Sequence, residues 1–209
     1  MKLFNYWRSS ASWRVRIGLN LKGVAYEYVP VHLTRDGGEQ NDVAYRELNP
    51  MAQVPALVLD DGAVLFQSIA ILEWLEETWP EPPLLPSDPI ERARARAIAE
   101  IVNSGIQPMQ NLAVTHAVKS MGGDVDAWLR RFVGHGLEAI ESAAATTRGR
   151  FLVGDHPSFA DICLVPQLAS ARRFGVSVDG LDGLLAVEAA CNDLAAFRDA
   201  HPDRQPDKS

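Results

Sequence analysis

Ser9-Ser10-Ala11-Ser12-Trp13-Arg14-Val15-Arg16 places three hydroxyls within four residues. An apolar run precedes it (Leu3, Phe4, Tyr6, Trp7), and Val15, Ile17, Leu19 and Leu21 follow. The pairs Val15/Leu19 and Ile17/Leu21 have helical i,i+4 spacing. Alternation over 15–21 also suits a strand, but the hydroxyls before and Gly23 after mark a helix start and stop. The reading is a strand over 2–7, a hydroxyl-rich turn, and a helix over 13–23. The first turn of a helix presents N–H groups without intrahelical partners and the positive end of the dipole, a place that stabilises an anion. Taken alone, Ser at such a start is a helix cap, and Arg on a first helix is solvated.

Outward from this stretch the chain alternates. Residues 25–31 read as a second strand, 34–42 as a polar loop with Gly37-Gly38, and 42–48 as a short helix. Residues 56–59 form a third strand, Asp60-Asp61-Gly62 a hairpin turn, and 63–66 its partner. Gln67-Ser68 opens a helix carrying Ile69, Ile71, Leu72, Trp74 and Leu75, with Glu73 and Glu76 on a solvated face. The order βαβαββα predicts a small α+β layer structure over 1–82. Pro80, Pro82, Pro83 and Pro86 then form a linker. Helical patterns follow over 88–118, 124–147, 158–174 and 183–200, so 87–209 is expected to be an all-helical domain. The polar tail 201–209 reads as extended.

Composition narrows the function classes. The 209 residues carry a net charge of −7, which argues against nucleic acid as the main partner. No apolar run reaches the roughly 18 residues of a membrane span, and no leader is evident at the N-terminus, so the cytoplasm is the expected compartment. Cys163 and Cys191 lie in apolar helical stretches and read as buried thiols in a reducing compartment. No cysteine or histidine spacing suggests a metal.

Three further motifs carry local chemistry. Val54-Pro55 stands between a loop and a strand, where a proline belongs. A cis bond there would turn the Val54 backbone toward an extended ligand, although base rates alone favour trans. Ser68 can cap the helix that follows Gln67, or the free N–H groups there can take a carboxylate. Ser158-Phe159-Ala160-Asp161 has the spacing of a capping box and reads as a folding element, not a catalytic pair.

Together these motifs resemble a cytosolic glutathione transferase over nearly the whole chain. Arg8-Ser9-Ser10-Ala11-Ser12-Trp13-Arg14-Val15-Arg16 resembles the S-S-C-S-W-R-V-R signature of the zeta class, with Ala11 where that class has cysteine. Asn49-Pro50-Met51-Ala52-Gln53-Val54-Pro55, Gly105-Ile106-Gln107-Pro108-Met109-Gln110-Asn111 and Arg204-Gln205-Pro206-Asp207 resemble it as well. The resemblance implies a thioredoxin-like N-terminal domain, an all-α C-terminal domain, a cis Val54-Pro55 bond and a homodimer. It also implies glutathione as cofactor, with isomerisation of maleylacetoacetate to fumarylacetoacetate in aromatic amino-acid catabolism. Because the cysteine is not the family's essential nucleophile, Ala11 is expected to change thiol sensitivity rather than abolish activity.

Roles follow from the same resemblance. Ser9, with Ser10 beside it, is expected to hold the glutathione thiolate. Ala11, Arg14, Gln40, Val54, Pro55, Gln67 and Ser68 are expected to line the rest of the cofactor site, with Gln107, Asn111, Leu112 and Ala113 from the helical domain. Arg8 and Arg173 are the candidates for a small dicarboxylic or keto-acid substrate, and Arg172 is read as the exposed neighbour. Maleylpyruvate isomerase, a transferase acting on halogenated acids, and a non-catalytic module of the same fold remain the alternatives.

Overall fold

Leu3 sits at the centre of a four-stranded sheet. β1 (Lys2–Asn5), β2 (Glu27–Pro30), β3 (Ala56–Val58) and β4 (Val64–Phe66) are ordered β2-β1-β3-β4. Leu3 pairs with Tyr28 on the parallel side and Leu57 on the antiparallel side, and both leucines are fully buried. The β3–β4 turn closes through the Gly62 N–H to the Leu59 carbonyl at 3.0 Å, with Gly62 at φ 89°, a conformation that suits glycine.

The helices are α1 (Ser10–Lys22), α2 (Val43–Leu48), α3 (Ser68–Thr78), α4 (Pro89–Glu100), α5 (Gln107–Gln110), α6 (Leu112–Ser120), α7 (Val125–Ala144), α8 (Phe159–Arg173), α9 (Asp182–Asn192) and α10 (Ala195–Ala200). The computed structural model describes residues 1–208. They divide into two compact units: Met1–Pro82 with the chain from Leu194 onward, and Pro83–Asp193. Met1–Pro82 has the expected βαβαββα order, but α10 joins this unit, so the helical unit stops at Asp193 and does not run through the whole of 87–209; it is helical apart from one isolated bridge between Arg148 and Gly154.

α1 is buried on almost every side. Val15, Ile17 and Leu19 have no exposed surface, and neither do Arg14 and Arg16 between them. Burial all round explains why its apolar residues alternate instead of forming one stripe. It also overturns the reading of these arginines as solvated. Arg16 is held by the Ala200 carbonyl at 3.1 Å, the Asn5 side chain at 2.9 Å and the Trp7 carbonyl at 2.9 Å. Glu76 is likewise not on a solvated face. Its carboxylate meets the buried Lys22 ammonium at 2.7 Å, and Lys22 also donates to the Pro82 carbonyl.

The chain end differs from the extended tail that its polarity suggested. α10 packs on α1, and residues 202–204 form a short 3₁₀ turn. The ring of His201 meets Trp13 edge-on at 5.0 Å, Gln205 is buried, and Asp207 accepts from the Trp7 N–H at 3.0 Å. Gln205 and Asp207 meet backbone groups of the first unit, and Arg204 pairs with the Asp199 carboxylate.

Two long helical patterns are broken. The 88–118 pattern becomes α4, a π-helical turn over Ile101–Ile106, α5, and α6. Pro108 cannot donate its backbone hydrogen bond and its ring crowds the carbonyl four residues back, and a widened turn precedes it. Asn111 is extended at ψ 143° and starts α6 afresh, its side chain accepting from the Ala113 N–H at 2.9 Å. The 183–200 pattern breaks at extended Leu194, ψ 130°.

In the second unit the capping box forms as expected. Asp161 accepts from the Ser158 N–H at 2.8 Å and the Leu152 N–H at 2.9 Å. Burial pushes its carboxyl up to about 6, against the pull of these bonds. Cys163 and Cys191 are buried thiols outside any disulfide, as expected, and burial raises the Cys191 thiol well above its ordinary range. Among the described residues no helix is long and apolar enough to cross a membrane, and no His/Cys/Asp/Glu group could hold a metal.

Lys22→Met leaves the Glu76 carboxylate buried without its cation, and is expected to lower the unfolding free energy by about 3 kcal/mol in urea denaturation. Burial lowers the His201 pKa, so the unfolded chain binds the extra proton. The His201 contribution to stability is therefore expected to fall as pH drops below about 6.5, opposed below about 6 by the proton that folded Asp161 takes up, and His201→Asn is expected to remove the destabilising component from that part of the melting-temperature profile.

Candidate functional site

Sheet register brings the expected N-terminal site residues to one edge. Phe4 pairs with Ala56, and Ala56 with Phe66. The end of β1, the start of β3 and the end of β4 therefore lie side by side. Asn5 pairs with Pro30, which adds the end of β2. From this edge leave the Tyr6–Ser9 turn, the loop that carries Gln40, the Val54-Pro55 approach to β3, and Gln67. A buried cluster of Tyr6, Val31, Tyr45, Val54 and Ala56 packs beneath these segments.

Ser9 caps α1. Its Oγ accepts from the Ser12 N–H at 3.2 Å, in the extended conformation of a cap. A hydroxyl has one donor and two acceptor sites, so this bond leaves the Ser9 O–H available to donate. Ser10 and Ala11 begin the helix and are nearly buried, so Ser9 is the more accessible hydroxyl of the pair. Ser12 is structural: it is fully buried and its Oγ accepts from the Tyr6 N–H at 3.4 Å.

α3 starts beside α1. The guanidinium of Arg14 donates to Ser68 Oγ at 3.3 Å, so one buried cation links the first turns of two helices. Ser68 does not cap α3, contrary to the simplest reading of its position. Gln67 occupies the cap with no side-chain capping bond, at φ 71° and ψ 119°. That conformation costs a residue with a Cβ about 1–3 kcal/mol, and it leaves the Gln67 side chain exposed at the sheet edge. Two helix N-termini and Arg14 make this edge favourable for anionic groups.

The Val54-Pro55 peptide is cis, as the family resemblance implies, and both residues are buried. The residue before them is held firmly: Tyr45 Oη and Asn49 Nδ2 each donate to the Gln53 carbonyl at 2.7 Å. Gln40 lies in a loop organised by His32, whose Nδ1 accepts from the Arg35 N–H at 2.9 Å. Gln40 Nε2 reaches the Leu33 carbonyl at 3.4 Å, while its Oε1 is buried without a partner among the described residues.

Arg8 is exposed, with its guanidinium carbon 5.5 Å from the centre of the Trp7 ring. In the second unit Gln107, Asn111, Leu112 and Ala113 gather at the α5–α6 break, with Leu112 and Ala113 exposed. Asn111 Oδ1 is committed to capping α6. Arg173 ends α8 over the Phe174 ring, 4.7 Å from its centre. Its neighbour Arg172 is bound to Glu188 by two bonds of 2.6 Å. The bidentate pair occupies Arg172.

Several residues at this edge escaped the sequence reading. Arg16 donates to the Trp7 carbonyl, Asp207 accepts from the Trp7 N–H, and Tyr28 Oη donates to Asp207. The one signal was the Arg204-Gln205-Pro206-Asp207 ending, visible as a motif without a role.

Residues 8–78 match the family model of the glutathione S-transferase N-terminal domain, and residues 125–202 that of the C-terminal domain. Maleylacetoacetate isomerase of Rattus norvegicus is 48% identical over 206 residues, 98% of this chain and 94% of the relative. Maleylpyruvate isomerase of a Ralstonia species is 48% identical over 216 residues, covering all of both chains. The crystal structure of maleylacetoacetate isomerase from Anaeromyxobacter dehalogenans with bound GSH in the active site superposes with a TM-score of 0.90 at 52% identity, over 100% of this chain and 97% of the other. The same enzyme is also known with bound dicarboxyethyl glutathione and citrate, at a TM-score of 0.89.

Gln67→Gly removes the strain of a positive φ. It is expected to hold or raise the unfolding free energy, by up to about 1 kcal/mol, while weakening glutathione binding in calorimetric titration.

Proposed function

The chain belongs to the glutathione S-transferase family, in its zeta-class isomerase branch, and we propose that it isomerises maleylacetoacetate to fumarylacetoacetate with glutathione as cofactor. The observation that carries this reading is the Ser9 hydroxyl: it accepts from the Ser12 N–H, keeps its own proton to donate, and stands at the positive end of α1. When bound, glutathione supplies a thiolate whose reversible addition to the cis double bond makes that bond single, and so free to rotate.

A free thiol has a pKa of about 8.5, so it needs help to ionise at neutral pH. Ser9 donates to the sulfur and the first turn of α1 favours its negative charge. Ser10 and Ala11 supply the N–H groups of that turn. Gln67 and Ser68 meet the γ-glutamyl end at the start of α3, with Arg14 adding positive charge behind Ser68. Val54 offers its backbone to the cysteinyl part beside Pro55. Gln40 presents its buried, unpartnered Oε1 to a donor on the glycyl side. Gln107, Asn111, Leu112 and Ala113 contribute from the helical unit. Arg8 and Arg173 take the acidic groups of the substrate, where cationic forks also stabilise charge developing on the neighbouring carbonyl.

The Ralstonia relative supports maleylpyruvate as a second reading, since its identity to this chain equals that of the rat enzyme. Activity on halogenated acids is a side reaction of the same thiolate. The retained Ser9 and Ser10 weigh against a non-catalytic module. We further infer a homodimer, a cytoplasmic location and a place in aromatic amino-acid catabolism. Met51, 63% exposed, and Phe66, 41% exposed, are apolar groups suited to a subunit contact.

Assay of purified protein with both substrates and glutathione is expected to show turnover of maleylacetoacetate; activity on maleylpyruvate alone would overturn that choice. Ser9→Ala is expected to cut turnover about tenfold or more with the fold intact, and an unchanged rate rejects Ser9 as the thiolate donor.

A further inference from the structure

The turn that presents Ser9 is bound at almost every polar backbone atom that leads into it. Its closing bond runs from the Ser9 N–H to the Tyr6 carbonyl at 3.0 Å. The Tyr6 N–H donates to Ser12 Oγ at 3.4 Å, and the Tyr6 carbonyl also accepts from Arg16 Nη1 at 3.3 Å. The Trp7 carbonyl accepts from Arg16 Nη2 at 2.9 Å. The Trp7 N–H takes its partner from 200 positions away: Asp207 Oδ2, at 3.0 Å. The other oxygen of the same carboxylate accepts from Tyr28 Oη, which rises from β2.

We propose that Asp207 is a positioning residue for the reaction, fixing the Tyr6–Trp7 peptide and thereby the place of the Ser9 hydroxyl. Trp7 lies two residues before Ser9, inside the closed turn. The peptide that joins Tyr6 to Trp7 is gripped on its carbonyl side by Arg16 Nη1 and on its N–H side by Asp207. Arg16 is in turn tied to the C-terminal segment through the Ala200 carbonyl, so both grips depend on that segment being docked. Tyr28 holds the Asp207 carboxylate to the sheet, so it acts as a fixed acceptor and not as a loose tail group. Arg8, between Trp7 and Ser9, is exposed, while the Trp7 ring packs against the buried cluster around Tyr6. Misplacement of a reacting group by about 1 Å costs on the order of 100-fold in rate, so a turn released on one side is enough to be felt.

The inference rests on the reading of Ser9 as the thiolate donor, and the test separates the two. In full-length protein, Asp207→Ala is expected to lower kcat about tenfold and to move the pH–rate profile, and the ultraviolet thiolate band of bound glutathione, about one pH unit alkaline. KM for the maleyl substrate is expected to stay within about twofold. Asp207→Asn keeps an oxygen acceptor for the Trp7 N–H and is expected to restore most of kcat and the profile. Tyr28→Phe is expected to shift the profile in the same direction by less. In the Ser9→Ala background, Asp207→Ala is expected to add nothing further. An impaired Ser9→Ala beside an Asp207→Ala enzyme with wild-type kcat and profile overturns this inference alone. Multiplicative losses in the double variant overturn the route through Ser9. A silent Ser9→Ala overturns the reading of Ser9 itself. Melting curves of each variant separate a displaced turn from an unfolded protein.

Discussion

The guanidinium of Arg16 is the interaction on which the first unit depends. It has no exposed surface, and it bonds the Asn5 side chain, the Tyr6 and Trp7 carbonyls and the Ala200 carbonyl. Taking a cation out of water costs several kcal/mol unless its donors are met. Here four acceptors meet them, in the fork geometry that arginine alone provides. Burial lowers its pKa only to about 10, with Tyr28, Tyr26 and Asp207 opposing the shift, so it stays charged at neutral pH. One side chain of α1 therefore specifies three things at once: where β1 ends, how the next turn is shaped, and where the last helix docks.

This explains why a helix with charged residues lies in the core. Arg14 and Arg16 are not on an outer face of α1. One reaches the start of α3, the other the end of β1, and Lys22 at the last turn reaches Glu76 on α3. The three cations hold the elements whose ends converge at one sheet edge. Convergence is a matter of register: with Phe4, Ala56 and Phe66 in line, the segments after β1 and β4 and the one before β3 must emerge together. The site is thus a consequence of strand pairing, and the cations keep it from loosening.

What was legible in the sequence was local. The hydroxyl turn, Val54-Pro55, the Asp60-Asp61-Gly62 hairpin, Gln67-Ser68 and the Ser158–Asp161 box each carry their structural instruction within a few residues. The buried state of Arg14, Arg16 and Glu76 was not legible, because their partners lie far away in sequence. The tail was misread for the same reason: a polar, proline-containing end reads as extended until Trp7 and Arg16 are known to need acceptors. The breaks at 101–111 and at Leu194 sit inside unbroken apolar periodicity, which measures burial and not continuity of the backbone. Pro108 was the available signal for the first break, and Leu194 carries none.

Cap and proposed thiolate donor are not competing descriptions of Ser9. Capping uses an acceptor lone pair, and thiol activation uses the proton, so one hydroxyl serves both without compromise. Capping even helps, because a side chain pinned by the Ser12 N–H has its oxygen already in place. Gln67 makes the complementary case. It occupies a cap position, makes no capping bond, and holds a positive φ that a glycine would adopt without cost. A residue kept there for helix stability alone would not be glutamine. Retaining a strained backbone to aim an amide at the sheet edge is understandable if that amide meets a ligand. The two helix starts therefore point the same way for opposite reasons: at Ser9 the structural role and the proposed chemical role coincide, and at Gln67 they conflict.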